Sequence, residues 1–158
     1  MKSRTNQKPT ARKKPDPKLA DFLCFAVYSA NLAYGRAYKP ILDELGLTYT
    51  QWIAIVSLWE EDGQTVGALG QKLFLESNTL TPILKKLEAM GYVKRRRDPK
   101  DERQVRVSLT EAGRRLRRKG STMNLVKETR LTPEDFAKLQ KAVLALRDNL
   151  LEAADKPD

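Results

Sequence analysis

Residues 74–113, FLESNTLTPILKKLEAMGYVKRRRDPKDERQVRVSLTEAG, limit what this chain can fold into more than any other stretch. Leu80, Ile83, Leu84 and Leu87 recur at i, i+3, i+4 and i+7, the spacing of a helix with one apolar face. Gly91 supplies the stop. Two strand-like runs follow, Tyr92–Lys94 and Val105–Leu109, the second alternating apolar and polar residues as a half-buried strand does. The ten residues between them, RRRDPKDERQ, contain no large apolar group. If the strands pair, those ten residues form the tip of a hairpin. A short helix from about Thr65 to Leu73 precedes the link FLES. Two closely joined helices followed by a charged hairpin make a winged helix-turn-helix. That shape presents a helix to a DNA major groove and a loop to a neighbouring groove.

Charge follows the same map. The net value is +10, but it is unevenly spread. Residues 1–14 hold six basic and no acidic groups, and residues 85–119 hold fourteen basic against five acidic. The remaining segments are acidic overall. Such clustering suits a polyanion-binding face better than a merely solubilising surface.

Composition excludes several other classes. Hydrophobic residues make up 41% of 158, enough for one cored domain. No run approaches the roughly 20 apolar residues of a membrane span, and the basic N-terminus has no apolar segment behind it, so it does not read as a secretory signal. The expected location is the cytoplasm. A single cysteine rules out an intrachain disulfide and fits a reducing compartment. With no histidine, Ser-His and Cys-His nucleophile pairs and His-containing zinc sites are all excluded. No enzyme activity, metal or cofactor is expected.

Elsewhere the chain reads as helices. Residues 1–17 are polar, basic and proline-bearing, the composition of a disordered arm. From Leu19 to Leu45 apolar residues step by three or four, a long amphipathic helix that Pro40 should kink or split and Gly46 should close. A second helix opens at Thr50. Ser77 or Asn78 is the expected cap of the helix-turn-helix's second helix, and Pro82 fits cheaply only near its first turn. A further helix begins near Thr110. The last one has a clear start: Thr132 as cap, Pro133 at the first position and Asp135 in the first turn. Its residues Phe136, Leu139, Val143, Leu146 and Leu150 form a heptad seam. The seam either packs on its own chain or, with the long first helix, forms a dimer interface, and the interface is the expectation. The fold class is therefore mainly α: a winged helix-turn-helix domain over 18–158, with the helix-turn-helix at about 65–90 and the wing at about 92–109. Dimerisation elements are expected at about 18–46 and 110–154.

With Leu80, Ile83, Leu84 and Leu87 facing the core, Ser77, Asn78, Thr79, Thr81, Pro82, Lys85 and Lys86 face outward. Amide and hydroxyl groups bond base edges, threonine methyl and proline touch thymine methyl, and lysine reaches guanine or phosphate. On the wing the candidates are Arg97, Lys100 and Arg103, with Arg97 and Arg103 at the tip. Asp98, Asp101 and Glu102 are read as braces that aim selected arginines into a narrow minor groove. Arg106, alternating with buried valines, is expected to meet phosphate or solvent.

The segment ESNTLTPILKKLEAMGYVKRRRDPKDERQVRVSLTEAG resembles the winged-helix core of the MarR family, and DPKDERQVRVSLTEAG looks like that family's wing signature. Together with LCFAVYSANLAYGRAYKPILDELGLTYTQWIAIVSLWE at 23–60, the resemblance narrows to the organic-hydroperoxide sensors, the OhrR-like branch. It covers roughly residues 19–120. Asn78 and Glu76 stand where that branch usually has glycine and aspartate. The resemblance implies a helical homodimer on pseudo-palindromic double-stranded operator DNA, with an organic hydroperoxide as inducer. It also implies that Cys24 is the reactive thiol, with Tyr38 and Tyr49 donating to its sulfur.

On its own, Cys24 in the apolar string Phe22–Ala26 reads by default as a buried structural thiol. A free thiol ionises only near pH about 8.5, so a sensor must stabilise the thiolate. Tyr38 lies 14 residues beyond Cys24, about 21 Å along a straight helix at ~1.5 Å per residue. Contact therefore requires an antiparallel second copy or a sharp fold at Pro40. Tyr28 and Tyr34 read as packing residues. With no second cysteine, oxidised Cys24 is expected to pass to a mixed disulfide with a low-molecular-weight thiol, a cyclic sulfenamide or a higher oxide. The alternative is a MarR-type repressor released by a phenolic or other small ligand without thiol chemistry.

Overall fold

Thr48 begins the helix around which the core is assembled. Its side chain accepts from the Gln51 amide while the Gln51 side chain accepts from the Thr48 amide, closing a capping box. The helix that follows, α2 (Tyr49–Glu60), buries Trp52, Ala54, Ile55 and Leu58. The structure is a computed structural model that describes residues 16–120 and 126–155. Before α2 come a single 3-10 turn (Leu19–Asp21) and α1 (Leu23–Glu44); after it come β1 (Gln64–Thr65), α3 (Val66–Leu73), α4 (Ser77–Ala89), β2 (Val93–Asp98), β3 (Asp101–Leu109), α5 (Glu111–Gly120) and α6 (Pro133–Ala154). A second 3-10 turn spans Lys127–Thr129. The expected basic arm lies, up to residue 15, outside the described residues, as do residues 121–125 of the expected C-terminal dimerisation element.

The chain divides after Gly35 into two units. In the first, the 3-10 turn leads into the start of α1, where Phe25 and Tyr28 meet with ring centroids 6.4 Å apart. Leu19, Phe22, Leu23, Val27, Tyr28, Leu32 and Tyr34 are all exposed. Of the two tyrosines expected to pack, Tyr28 meets Phe25 while keeping an exposed side, and Tyr34 is exposed.

The second unit holds the winged helix. Leu58 of α2, Leu69 of α3, Leu80, Leu84 and Leu87 of α4, and Val93, Val107 and Leu109 of the sheet form one buried cluster, joined by Leu42, Leu47 and Leu116. Burying each such leucine contributes about 1.5–3 kcal/mol. The three strands run antiparallel in the order β1-β3-β2. Trp59 donates its indole N–H to the Gly113 carbonyl at 3.1 Å, tying α2 to α5. Lys72 pairs with Glu60 at 2.8 Å, tying α3 to α2.

Several expected boundaries shift. α1 is not split at Pro40, which lies inside it; a proline there removes one N–H···O=C bond but leaves the flanking turns intact. The cap of α4 is Glu76, with no side-chain cap bond, and neither Ser77 nor Asn78. Packing decides the start: Phe74 and Leu75 close the preceding turn with amide bonds to Gln71 and Gly70. A Cβ on Gly70 would stand 2.6 Å from the Leu75 carbonyl oxygen, so the turn needs glycine there. Pro82 consequently falls beyond the first turn of α4. At the other end Gly91 (φ +77) completes a Schellman motif, with Tyr92 N–H on the Leu87 carbonyl and Gly91 N–H on that of Glu88. The Thr132–Pro133–Asp135 start of α6 is as expected, the Asp135 amide donating to Thr132 Oγ1 at 3.1 Å.

Candidate nucleic-acid interface and sensor residues

The apolar period of α4 puts Leu80, Leu84 and Leu87 fully inside. Ser77, Asn78, Thr79, Pro82, Lys85 and Lys86 are exposed, and Thr81 is half-buried. Asn78, Pro82 and Lys85 thereby share one outward face. Thr81 Oγ1 donates to the Ser77 carbonyl at 2.7 Å, and Thr79 Oγ1 donates to Asn78 Oδ1 at 3.3 Å. The second bond occupies the Asn78 side-chain oxygen on the exposed surface of the helix. Lys85 and Lys86 form no ion pair among the described residues.

The wing differs from its expected form. β2 and β3 extend through most of the ten charged residues, leaving only Pro99 and Lys100 between them. Arg97 pairs with Val105 and Asp98 with Asp101, so Glu102, Arg103 and Gln104 bulge from β3. Arg97 and Arg103 therefore sit on strands rather than in a loop, and Lys100 sits in the turn. Asp98 organises this end. Its buried carboxylate accepts from the Lys100 amide at 2.9 Å and from Arg106 Nε at 2.6 Å. The Lys100 amide bond, then Arg106, hold the Asp98 carboxyl below its ordinary value of 3.8.

Bracing by acids holds in part. Asp98 braces Arg106, whose Nη1 also donates to the Gly63 carbonyl at 2.7 Å. Arg106 is exposed to solvent, as expected, and is in addition a structural tie to Asp98 and Gly63. Asp101 grips the Arg103 amide and the Gln104 side chain instead of a guanidinium. Glu102 contributes its carbonyl, which accepts from Arg97 Nη1 at 2.9 Å. Of the two tip arginines, then, Arg97 is tethered, while the Arg103 guanidinium has no partner among the described residues.

Three features were not anticipated. Glu88 of α4 accepts from both the amide and Nε of Arg95, at 2.9 and 2.8 Å, locking the recognition helix to the wing. Those Arg95 bonds, the side-chain one foremost, lower the Glu88 carboxyl from its ordinary 4.5. Asp62 accepts from the Leu109 amide at 2.8 Å and from Arg114 Nη2 at 2.7 Å, joining the end of α2 to β3 and α5. On the outer face of the wing Lys94, Arg96, Arg97, Pro99, Arg106 and Ser108 line a concavity of about 390 Å³. The i, i+2 spacing of Lys94 and Arg96 was a sequence signal for a shared strand face; the partners Glu88 and Asp62 left none.

Cys24 lies in the first turn of α1, and its side chain is exposed, not buried as a structural thiol would be. Tyr38 and Tyr49 are brought together, their ring centroids 5.4 Å apart at 40°. Tyr49 stands one residue past the Thr48 cap, which fixes where its ring begins.

Comparison with known proteins fits this geometry. A family model described as "Transcriptional regulator SarA/Rot" matches residues 36–119. The organic hydroperoxide resistance transcriptional regulator of Bacillus subtilis is 40% identical over 138 residues, covering 84% of this chain and 92% of that protein. The HTH-type transcriptional regulator TtmR of Methylorubrum extorquens is 53% identical over 105 residues, covering 66% of this chain but only 54% of TtmR. Among solved structures, reduced AbfR bound to DNA aligns with a TM-score of 0.72 at 33% identity, covering 87% of this chain and 96% of AbfR. AbfR, from Staphylococcus epidermidis, has also been solved overoxidized on DNA and in a disulfide-formed state, at 34% and 33% identity.

Proposed function

Because this chain belongs to the MarR family of winged-helix transcriptional regulators, matching the SarA/Rot group within it, we propose that it is a homodimeric repressor that releases its operator when an organic hydroperoxide oxidises Cys24. The observation that carries the redox half is the tyrosine pair. Tyr38 and Tyr49 stand together with ring centroids 5.4 Å apart, close enough for both phenols to serve one site. The resemblance implies that the sulfur they serve is that of Cys24, and the 14-residue separation along an α1 unbroken at Pro40 favours the Cys24 of a second copy. Two O–H donors favour thiolate over thiol.

The reaction balances simply. The Cys24 thiolate attacks the distal oxygen of the hydroperoxide, the O–O bond breaks, and the alkoxide leaves as alcohol after taking a proton. The sulfur keeps one oxygen as sulfenic acid. Condensation with a low-molecular-weight thiol then forms a mixed disulfide and expels water. Either product removes the charge that held the phenols, and the recognition helices move out of register.

On the DNA side, Ser77, Asn78, Thr79, Thr81, Pro82, Lys85 and Lys86 read the major groove from α4. Arg103, with Arg97 and Lys100 behind it, enters the minor groove from the wing. Two copies place two such units on a pseudo-palindromic site. Lys94 and Arg96 extend the cationic surface toward phosphate.

Replacing Cys24 by Ser tests the redox half. The variant is expected to hold operator DNA as tightly as the parent and to keep holding it in cumene hydroperoxide. Release from C24S would discard the thiol mechanism in favour of a ligand-released repressor.

A further inference from the structure

At the corner between α3 and α4 the chain does something costly with an aromatic residue. Phe74, the C-cap of α3, adopts a left-handed backbone (φ 56, ψ 39), a conformation normally left to glycine or asparagine. Its ring is not repaid by burial in the core, since 56% of the residue is exposed. It does meet Arg147 of α6, whose guanidinium carbon stands 4.8 Å from the ring centroid, inside the roughly 6 Å range of a cation–π contact. Arg147 is itself held from one edge by Asp148, with Nε donating at 2.8 Å and Nη2 at 2.7 Å to Oδ1. That edge-on bond leaves the guanidinium face to the ring. The two residues are 73 positions apart, and no residue of α6 is buried, so a point contact of this kind counts for more here than it would inside a core.

We propose that Phe74 and Arg147 are a positioning pair that links the placement of α6 to the helix-turn-helix corner, and through it to the angle at which α4 is presented. The left-handed turn points the ring out of the core and toward α6. Leu75 and Phe74 carry the amide bonds to Gly70 and Gln71 that close the corner. α4 starts two residues later. A shift of α6 therefore pulls on the corner from which the recognition helix starts.

Hydrogen exchange on the full-length protein tests this without reference to the redox reading. In R147Q the amides of residues 74–80 are expected to exchange about two- to five-fold faster, the weight of one exposed cation–π contact. Exchange across the buried sheet should stay unchanged. R147K, which keeps the cation, should recover most of the protection. A cycle of F74L, R147Q and the double variant, read as affinity for operator DNA, should be non-additive, the double variant binding no worse than either single. Leucine keeps bulk at position 74 and removes only the ring face. Unchanged exchange at 74–80 in R147Q, or additive losses in the cycle, would overturn the proposal. If peroxide fails to release DNA from the parent protein, the thiol reading fails while these two readouts stand.

Discussion

The winged helix between Thr48 and Leu116 and the last helix, α6, have equally regular apolar patterns and opposite fates. In the first, Leu80, Leu84 and Leu87 vanish into a cluster shared with α2, α3 and the sheet. In the second, Leu139, Val143 and Leu150 remain 52%, 44% and 61% exposed, and no residue of the helix is buried. A 22-residue amphipathic helix whose seam is half-buried only at Phe136 and Leu146 and exposed at its other positions draws little of its stability from its own chain. The contrast teaches that one chain suffices to build the reader, while the seam on α6 stays largely uncovered by the described residues; the proposed homodimer would cover it. The exposed apolar residues near the start of α1 are of the same kind.

The comparison breaks most sharply at α6. Placing glutamates at Leu139 and Leu150 should turn a dimer into a monomer in sedimentation. Operator affinity should fall by about two to four orders of magnitude, the avidity lost when two linked readers become independent. The circular dichroism of the winged helix should persist. A variant still dimeric, or still tight on DNA, would mean that α6 is not the interface. Next in size is Leu84→Ala in the core, expected to lower unfolding stability by about 2–5 kcal/mol. Denaturant melts should give the same loss at every protein concentration, whereas α6 variants should lose stability in a concentration-dependent way.

The smallest effect probes the lock between reader and wing. Glu88 has its carboxyl pKa lowered from 4.5 by Arg95, so its contribution is fully present above that value and is lost as pH falls through the lowered one. E88Q should therefore be less stable than the parent near neutrality by about 1 kcal/mol, discounted for partial exposure. The gap should shrink as pH falls below 4.5 and close once it has passed through the lowered value. Thermal melts from pH 7 to pH 3 read it directly; a gap that persists or widens in acid would assign Glu88 another role.

Helix faces were legible because a single period governs them: the inside and outside of α4 follow from four apolar positions, and α6 announces its start with Thr132, Pro133 and Asp135. The wing was less so. RRRDPKDERQ carries no apolar alternation, yet most of it is strand, because Asp98 joins Lys100 and Arg106 across the hairpin and backbone pairing needs no apolar side chain. β1 is two residues long, too short to have a period. The cap of α4 was misplaced because Phe74 takes a glycine-like conformation that its residue type does not signal. At the candidate site the tyrosine pair followed from resemblance, not from spacing. Which tip arginine is free depends on a bulge that only the register reveals.

The central claim is that chemistry at one sulfur decides whether DNA stays bound. Intact mass and operator anisotropy followed in parallel, as cumene hydroperoxide is titrated into the reduced complex, test it most directly. The account expects released DNA to rise in step with protein carrying one added oxygen, or a thiol adduct, mapped to Cys24. Complete modification of Cys24 with DNA still bound, or release with its mass unchanged, would contradict it.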